Sequence, residues 1–261
     1  MELGFEMYAL AVGAGLVAGL INTLAGSGSL VALAALVTMG LPATVANGTN
    51  RVGVLIQSVV GLLTMRRHGE GMPEGVGWIL GATTAGALAG AGVAGLLSPE
   101  ALEWVIIGVL WVTLILVFIK PGEWLREESV DERGGVAVGK VVVFFFVGVW
   151  GGFIQASVGV LLLAALVLVA GKNLIEATAI KLAVVLIYTV GALAIFAAYG
   201  QVHWGLGLVM GIGQAIGAWS GARFAATSSN APVWIRRLLV VVILVAAAEL
   251  MGLFAWLTGV V

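Results

Sequence analysis

Polar residues interrupt the apolar stretches of this chain at a few places, and their types suit the handling of an anion. The first break reads Asn22-Thr23-Leu24-Ala25-Gly26-Ser27-Gly28-Ser29. Ser27 and Ser29 are good N-cap residues and an apolar run follows at once. A helix starting there would offer free N–H groups and a positive dipole end, which together make an anion site. The other reading is a glycine-rich bend whose serines satisfy the backbone. A second break, Gly151-Gly152-Phe153-Ile154-Gln155-Ala156-Ser157-Val158-Gly159, would place Ser157 as the matching cap. Asn47-Gly48-Thr49-Asn50-Arg51 opens the helix after the first broken run, and Arg51 is the only charge between Glu6 and Arg66. An ionisable residue inside a membrane is costly and is a functional hypothesis by default; snorkelling to the interface is the alternative. Lys181, in Glu176-Ala177-Thr178-Ala179-Ile180-Lys181, sits near the entrance of a comparable helix, where Glu176 could simply pair with it.

The chemistry these residues could do is the holding of a small oxyanion. Arg51 and Lys181 would supply charge, with Asn22, Ser27, Ser29, Asn47, Thr49, Asn50, Gln155 and Ser157 around them. Arginine adds a planar fork that matches such oxygens. Glu249 is the one acid deep within a span, too few for a cation cage. It could couple proton movement to transport, because burial favours its neutral form, or it could pair with an arginine. Arg223 lies near a span end and reads as a snorkelling residue, while Gln214 and Tyr188 are candidate lining residues. There is no cysteine, and the two histidines, His68 and His203, fall in connections. No metal site, cofactor or hydrolase constellation is expected, and the chain reads as a non-enzyme. A channel, an intramembrane enzyme and a carrier of another carboxylate or solute are the competing classes. Linear current without saturation would mark the channel, and turnover of a lipid or peptide the enzyme.

The elements that must position these residues follow from composition. Of 261 residues, 61% are hydrophobic and 10% charged, against about 25% charged in soluble domains. Thirteen acids and twelve bases cannot cover a water-facing surface, so lipid is the expected solvent. The net charge of −1 gives no field for nucleic acid. The first residues carry Glu2 and Glu6 and no base, unlike a secretory signal, so the first apolar run is read as part of the mature chain. Uncharged runs at Gly75–Pro99, Trp104–Ile119, Leu182–Val202, His203–Ala222 and Leu238–Val261 (broken by Glu249) each fit a span of ~20 residues. Met7–Asn50 does not, since one helix of that length would stretch ~66 Å across ~30 Å of hydrocarbon. With Val141–Gly171 it reads as helix, break, helix, the second helices being about Leu30–Met39 and Val160–Ala170, and a re-entrant hairpin fits that length.

The fold expected is therefore all-α and integral to the membrane, built as two inverted repeats, each a broken hairpin plus three spans. Residues 1–119 form the first repeat, 120–140 (KPGEWLREESVDERGGVAVGK) a cytoplasmic linker, and 141–261 the second. Gly86–Ala94 and Gly217–Ala225 share five identities in nine at a shift of 131, where Asn50 meets Lys181; Gly26 meets Gly159 at a shift of 133. Gly86/Gly90 and Gly213/Gly217/Gly221 have the spacing that lets membrane helices approach closely. Arg66, Arg67, Lys120, Arg126, Arg133, Lys140, Lys172, Arg236 and Arg237 fall between runs, and the positive-inside rule puts them in the cytoplasm. Both termini are then outside a cytoplasmic (inner) membrane. Inverted repeats with broken helices are a recurring plan of secondary transporters, with the site near the midplane. Trp78, Trp104 and Trp204 read as interface anchors. The partners expected are a small anion, the bilayer and, as a candidate, a second copy of the chain.

Ala14–Arg51, AGLVAGLINTLAGSGSLVALAALVTMGLPATVANGTNR, resembles the sulfite exporter TauE/SafE family. The glycine-rich break, Gly40-Leu41-Pro42 and Ala46-Asn47-Gly48-Thr49-Asn50 carry the match, and the duplicated halves and central linker extend it over essentially the whole chain. The second half departs from the pattern: its break is poorer in glycine, and Ile180 stands where the first half has Thr49. The resemblance implies transport, often outward, of sulfite, organosulfonates or related sulfur-containing anions.

Overall fold

The computed structural model describes residues 5–97 and 137–250. Trp104–Ile119, most of the Lys120–Lys140 linker, the Glu249 side chain and the last eleven residues lie outside the described part.

Among the described residues the structure is all-helical. In order these are α1 (Phe5–Leu24), α2 (Ser29–Thr38), α3 (Ala43–Arg67), α4 (Gly77–Leu96), α5 (Val138–Phe153), α6 (Val158–Ala164, running on as a π-helical turn Ala165–Val169), α7 (Leu174–Ala198), α8 (Trp204–Thr227) and α9 (Ala231–Leu250). Glu6–Leu24, Gly77–Leu96 and Leu174–Ala198 are each long and apolar enough to cross a membrane. Neither broken run is one continuous helix. The α1–α2 interruption opens at Gly26, whose φ of +83° is a left-handed conformation that costs glycine little. The α5–α6 interruption turns at Ser157, a non-glycine residue with φ +56°.

Three boundaries differ from expectation and change where the bases lie. Helix α3 begins at Ala43, capped by Pro42, because the polar Asn47–Asn50 stretch continues the helix. Arg51 therefore stands in the third turn, not at the entrance. Lys181 is likewise eight positions into α7, whose first turn is capped by Asn173 accepting from the N–H groups of Ile175 and Glu176. Arg236 and Arg237 lie inside α9, in its second turn, rather than in a connection.

Among the described residues, large apolar side chains face outward while both membrane-embedded bases are buried in a largely apolar interior. Ile212 and Val190 are 57% and 56% exposed, while Arg51 is 0% and Lys181 2%. In water that arrangement would expose large apolar patches; in lipid the outer side chains meet their natural solvent. Helix α1 packs most extensively on α8, and α5 on α4. Backbones approach closely at glycines on both interfaces: a Cβ at Gly213 or Gly217 would strike the main chain of α1, and one at Gly86 or Gly90 that of α5. Helices α3 and α7 cross between these two pairs and touch each other as well as α8 and α4.

Candidate functional site

The two breaks meet. The N–H of Gly159 donates to the carbonyl of Gly26 at 3.1 Å, and a Cβ on either glycine would collide with the other's backbone. No side chain fits between them, so each chain turns on the other at this point.

The caps expected there are placed differently. Gly28, not Ser27 or Ser29, holds the N-cap position of α2, and no side chain caps it. The Ser29 hydroxyl accepts instead from Asn22 Nδ2 at 3.4 Å, and Ser27 Oγ is buried without a partner. Ser157 does hold the N-cap position of α6, but its left-handed backbone leaves its hydroxyl without a capping bond. The free N–H expected at the second helix start is occupied, since Gly159 N–H binds Gly26.

Both bases reach across to the opposite break. Arg51 on α3 donates through Nη1 to the Gly151 carbonyl at 3.2 Å and to Gln155 Oε1 at 3.2 Å, and through Nη2 to the Gly152 carbonyl at 2.5 Å. Its guanidinium also lies over the Phe196 ring, 4.6 Å from the centroid. Lys181 on α7 donates through Nζ to the carbonyls of Asn22 at 3.0 Å and Thr23 at 2.6 Å. Each base thus satisfies the last carbonyls of a broken helix, where the dipole is negative. Such an end is equivalent to roughly −0.5 charge, so about half a positive charge remains at each base. Among the described residues neither has an acidic partner. Glu176, a possible partner for Lys181, keeps an Oε2 without a hydrogen bond.

The remaining predicted residues divide. Asn47 holds the second break, donating Nδ2 to the Phe153 carbonyl at 3.0 Å and accepting from Gln155 N–H at 3.4 Å. Gln155 is gripped between Arg51 and Tyr188, its Nε2 donating to the Tyr188 hydroxyl at 3.0 Å. Thr49 and Asn50 face α8: Thr49 Oγ1 accepts from His203 N–H at 2.9 Å, and Asn50 Oδ1 from Gln214 Nε2 at 3.2 Å. A narrow polar cleft opens beside the meeting breaks, lined by Asn22, Gln57, Ser58, Gln155 and Lys181 and closed by apolar residues of α6 and α7. Its free interior holds roughly one water molecule. Arg51, Thr49 and Asn50 do not line it. Gln57 and Ser58 were missed by the sequence reading, although an adjacent amide and hydroxyl inside the uncharged Val52–Met65 run were a visible signal.

A family model described as sulfite exporter TauE/SafE matches residues 11–250. A "Probable membrane transporter protein ORF9" of Sinorhizobium sp is 30% identical, over 96% of this chain and 95% of that one. A "Probable membrane transporter protein" of Haemophilus influenzae is 25% identical, over 88% and 89%. "Probable membrane transporter protein YfcA" of Escherichia coli K12 is 27% identical, over 90% and 86%. No solved structure matches.

Proposed function

This chain belongs to the sulfite exporter TauE/SafE family of membrane transporters, and from that premise we propose that it is a secondary transporter carrying sulfite, organosulfonates or related small sulfur-containing anions outward across the cytoplasmic membrane. The observation that carries this reading is the pair of buried bases, Arg51 and Lys181, each without an acidic partner among the described residues and each set on an end of the two meeting breaks. After the helix ends have offset about half of each charge, roughly one positive charge remains. An anion between the breaks neutralises it; a cation would add to it.

An inverted-repeat plan fits the same facts. Residues 1–119 and 141–261 are its two units, joined by a cytoplasmic 120–140 linker. Its support is reciprocity. The base of α3 binds the end of α5, and the base of α7 binds the end of α1. Helix α1 packs on α8 as α5 packs on α4, and Gly26 faces Gly159. Both bases stand about 10–12 Å along their helices, which approach from opposite faces in this plan.

The test is flux into proteoliposomes with a panel of sulfite, sulfoacetate, taurine, sulfate and a carboxylate. Saturable flux of sulfite or a sulfonate is expected. Linear, unsaturated current would identify a channel instead. Lys181→Gln and Arg51→Gln, both well folded, binding as tightly as the parent would move the anion site elsewhere.

A further inference from the structure

The two buried bases are not equivalent, and the difference lies in what hydrogen-bonding capacity the cleft has left. Asn22 gives its amide to Ser29. Gln155 uses its oxygen for Arg51 and its nitrogen for Tyr188. Arg51 lies outside the cleft, fixed by three hydrogen bonds and the Phe196 ring. Lys181 lines the cleft and uses two of an ammonium's three N–H donors. Gln57 and Ser58 line it as well. They are 2% and 0% exposed, and Gln57 Oε1 and Ser58 Oγ have no partner.

Ser58 is informative by comparison. Hydroxyls in membrane helices commonly turn back to the carbonyl four residues earlier. Thr64 and Thr178 do so here, at 2.7 Å each, onto Val60 and Leu174. Ser58, in the same helix as Thr64, does not. A buried polar group left unmatched costs free energy, so one that persists at a cleft calls for an explanation. Thr23, Ser27, Thr83 and Thr189 are also buried and unpartnered, but none of them lines the cleft; what sets Ser58 apart is that it does.

We propose that Gln57 and Ser58 of α3 are substrate ligands, closing with Lys181 a three-point site for a small oxyanion, while Arg51 is a positioning residue that acts through Gln155. This rests on the anion-transport reading above and assigns its contacts. The Ser58 hydroxyl donates to one oxygen of the anion and Gln57 Nε2 to a second, while the unpartnered Gln57 Oε1 accepts from a protonated oxygen such as that of hydrogensulfite. Because the cleft holds only about one water, Lys181 leaves the Asn22 and Thr23 carbonyls to admit the anion and binds the third oxygen.

The test measures binding of sulfite and methanesulfonate to purified protein by calorimetry, beside ligand-free thermal unfolding. Gln57→Leu and Ser58→Ala should each weaken binding about threefold to tenfold with little change in the ligand-free midpoint, and Ser58→Thr should restore it. Ser58→Ala removes one atom and keeps the test alive if Gln57→Leu folds poorly. Thr189→Ala, an unpartnered hydroxyl outside the cleft, should bind as the parent does. If Gln57→Leu and Ser58→Ala bind like the parent, or if Thr189→Ala loses as much as they do, this assignment is overturned and the anion reading stands. A parent that binds neither anion overturns the anion reading, and the assignment with it.

Discussion

At the scale of single residues, an amine and a guanidinium at comparable places do different things. Arg51 offers a flat fork, and the structure uses it as one, spanning two successive carbonyls and a side-chain amide. Removing the fork strands all three acceptors inside the protein. Arg51→Gln should therefore lower stability by at least about 2 kcal/mol, seen as an earlier unfolding midpoint in detergent. Lys181 makes fewer bonds and borders the cleft. Lys181→Gln should instead weaken anion binding by about 1.5–3 kcal/mol, read by calorimetry on folded protein. Equal effects of the two substitutions on both readouts would refute this division. Glu249 belongs to the same scale. If it couples proton movement to transport, Glu249→Gln alters the pH dependence of flux while substrate binding survives, and an unchanged pH profile reduces it to a structural group.

At the scale of elements, the meeting of the two breaks sets the geometry, and glycine is what permits it. Gly26→Ala meets two obstacles, a left-handed backbone and the main chain of Gly159. Gly159→Ala meets the second alone, and Gly40→Ala, with φ +90° and open space around it, only the first. The expected order of destabilisation is Gly26→Ala greatest, at about 2–5 kcal/mol, and Gly40→Ala least, at about 1–2 kcal/mol, by thermal unfolding. The breaks themselves were legible in the sequence, because a run too long for one span must be interrupted and glycine marks where. The second helices were placed to within a residue or two. The caps were not. Ser27 and Ser29 have the right chemistry for an N-cap, but Gly28 takes that position, packed against the main chain of Ala18 and Asn22 of α1 where no side chain fits, and propensity does not report such a tertiary contact. The start of α3 was misread for a related reason: Asn47–Asn50 looks like a loop by composition, yet Asn47 and Thr49 are matched by α5, the second break and the start of α8, and the Asn50 oxygen by Gln214 of α8. Gln57 and Ser58 stood out in the sequence as an adjacent amide and hydroxyl in an apolar run, but only their burial and unmatched atoms set them apart from ordinary helix polar residues.

At the scale of the whole molecule, the orientation rests on charge. Arg66 and Arg67 end α3, Lys172 precedes α7, and Arg236 and Arg237 lie early in α9, and the proposed orientation is the one in which the positive-inside rule puts these bases in the cytoplasm. The chain has no cysteine, so single cysteines report topology directly. A cysteine at position 2 should react with an impermeant reagent from outside and one at position 130 only from inside; labelling of position 2 from the cytoplasm would end the two-repeat model. The pairing of α1 with α8 also bears on how the protein is made. Roughly 180 residues separate Leu24 from Trp204. At the usual pace of synthesis α1 waits roughly 10–40 s in the bilayer for its main neighbour. Through most of that interval the last carbonyls of α1 also lack Lys181, in a solvent that offers them no hydrogen bond. The nascent first half is therefore expected to need shelter at the insertion machinery until the ribosome has nearly finished. A chain halted at position 200 should be cleared by membrane proteases far faster than the full-length protein in a pulse-chase experiment.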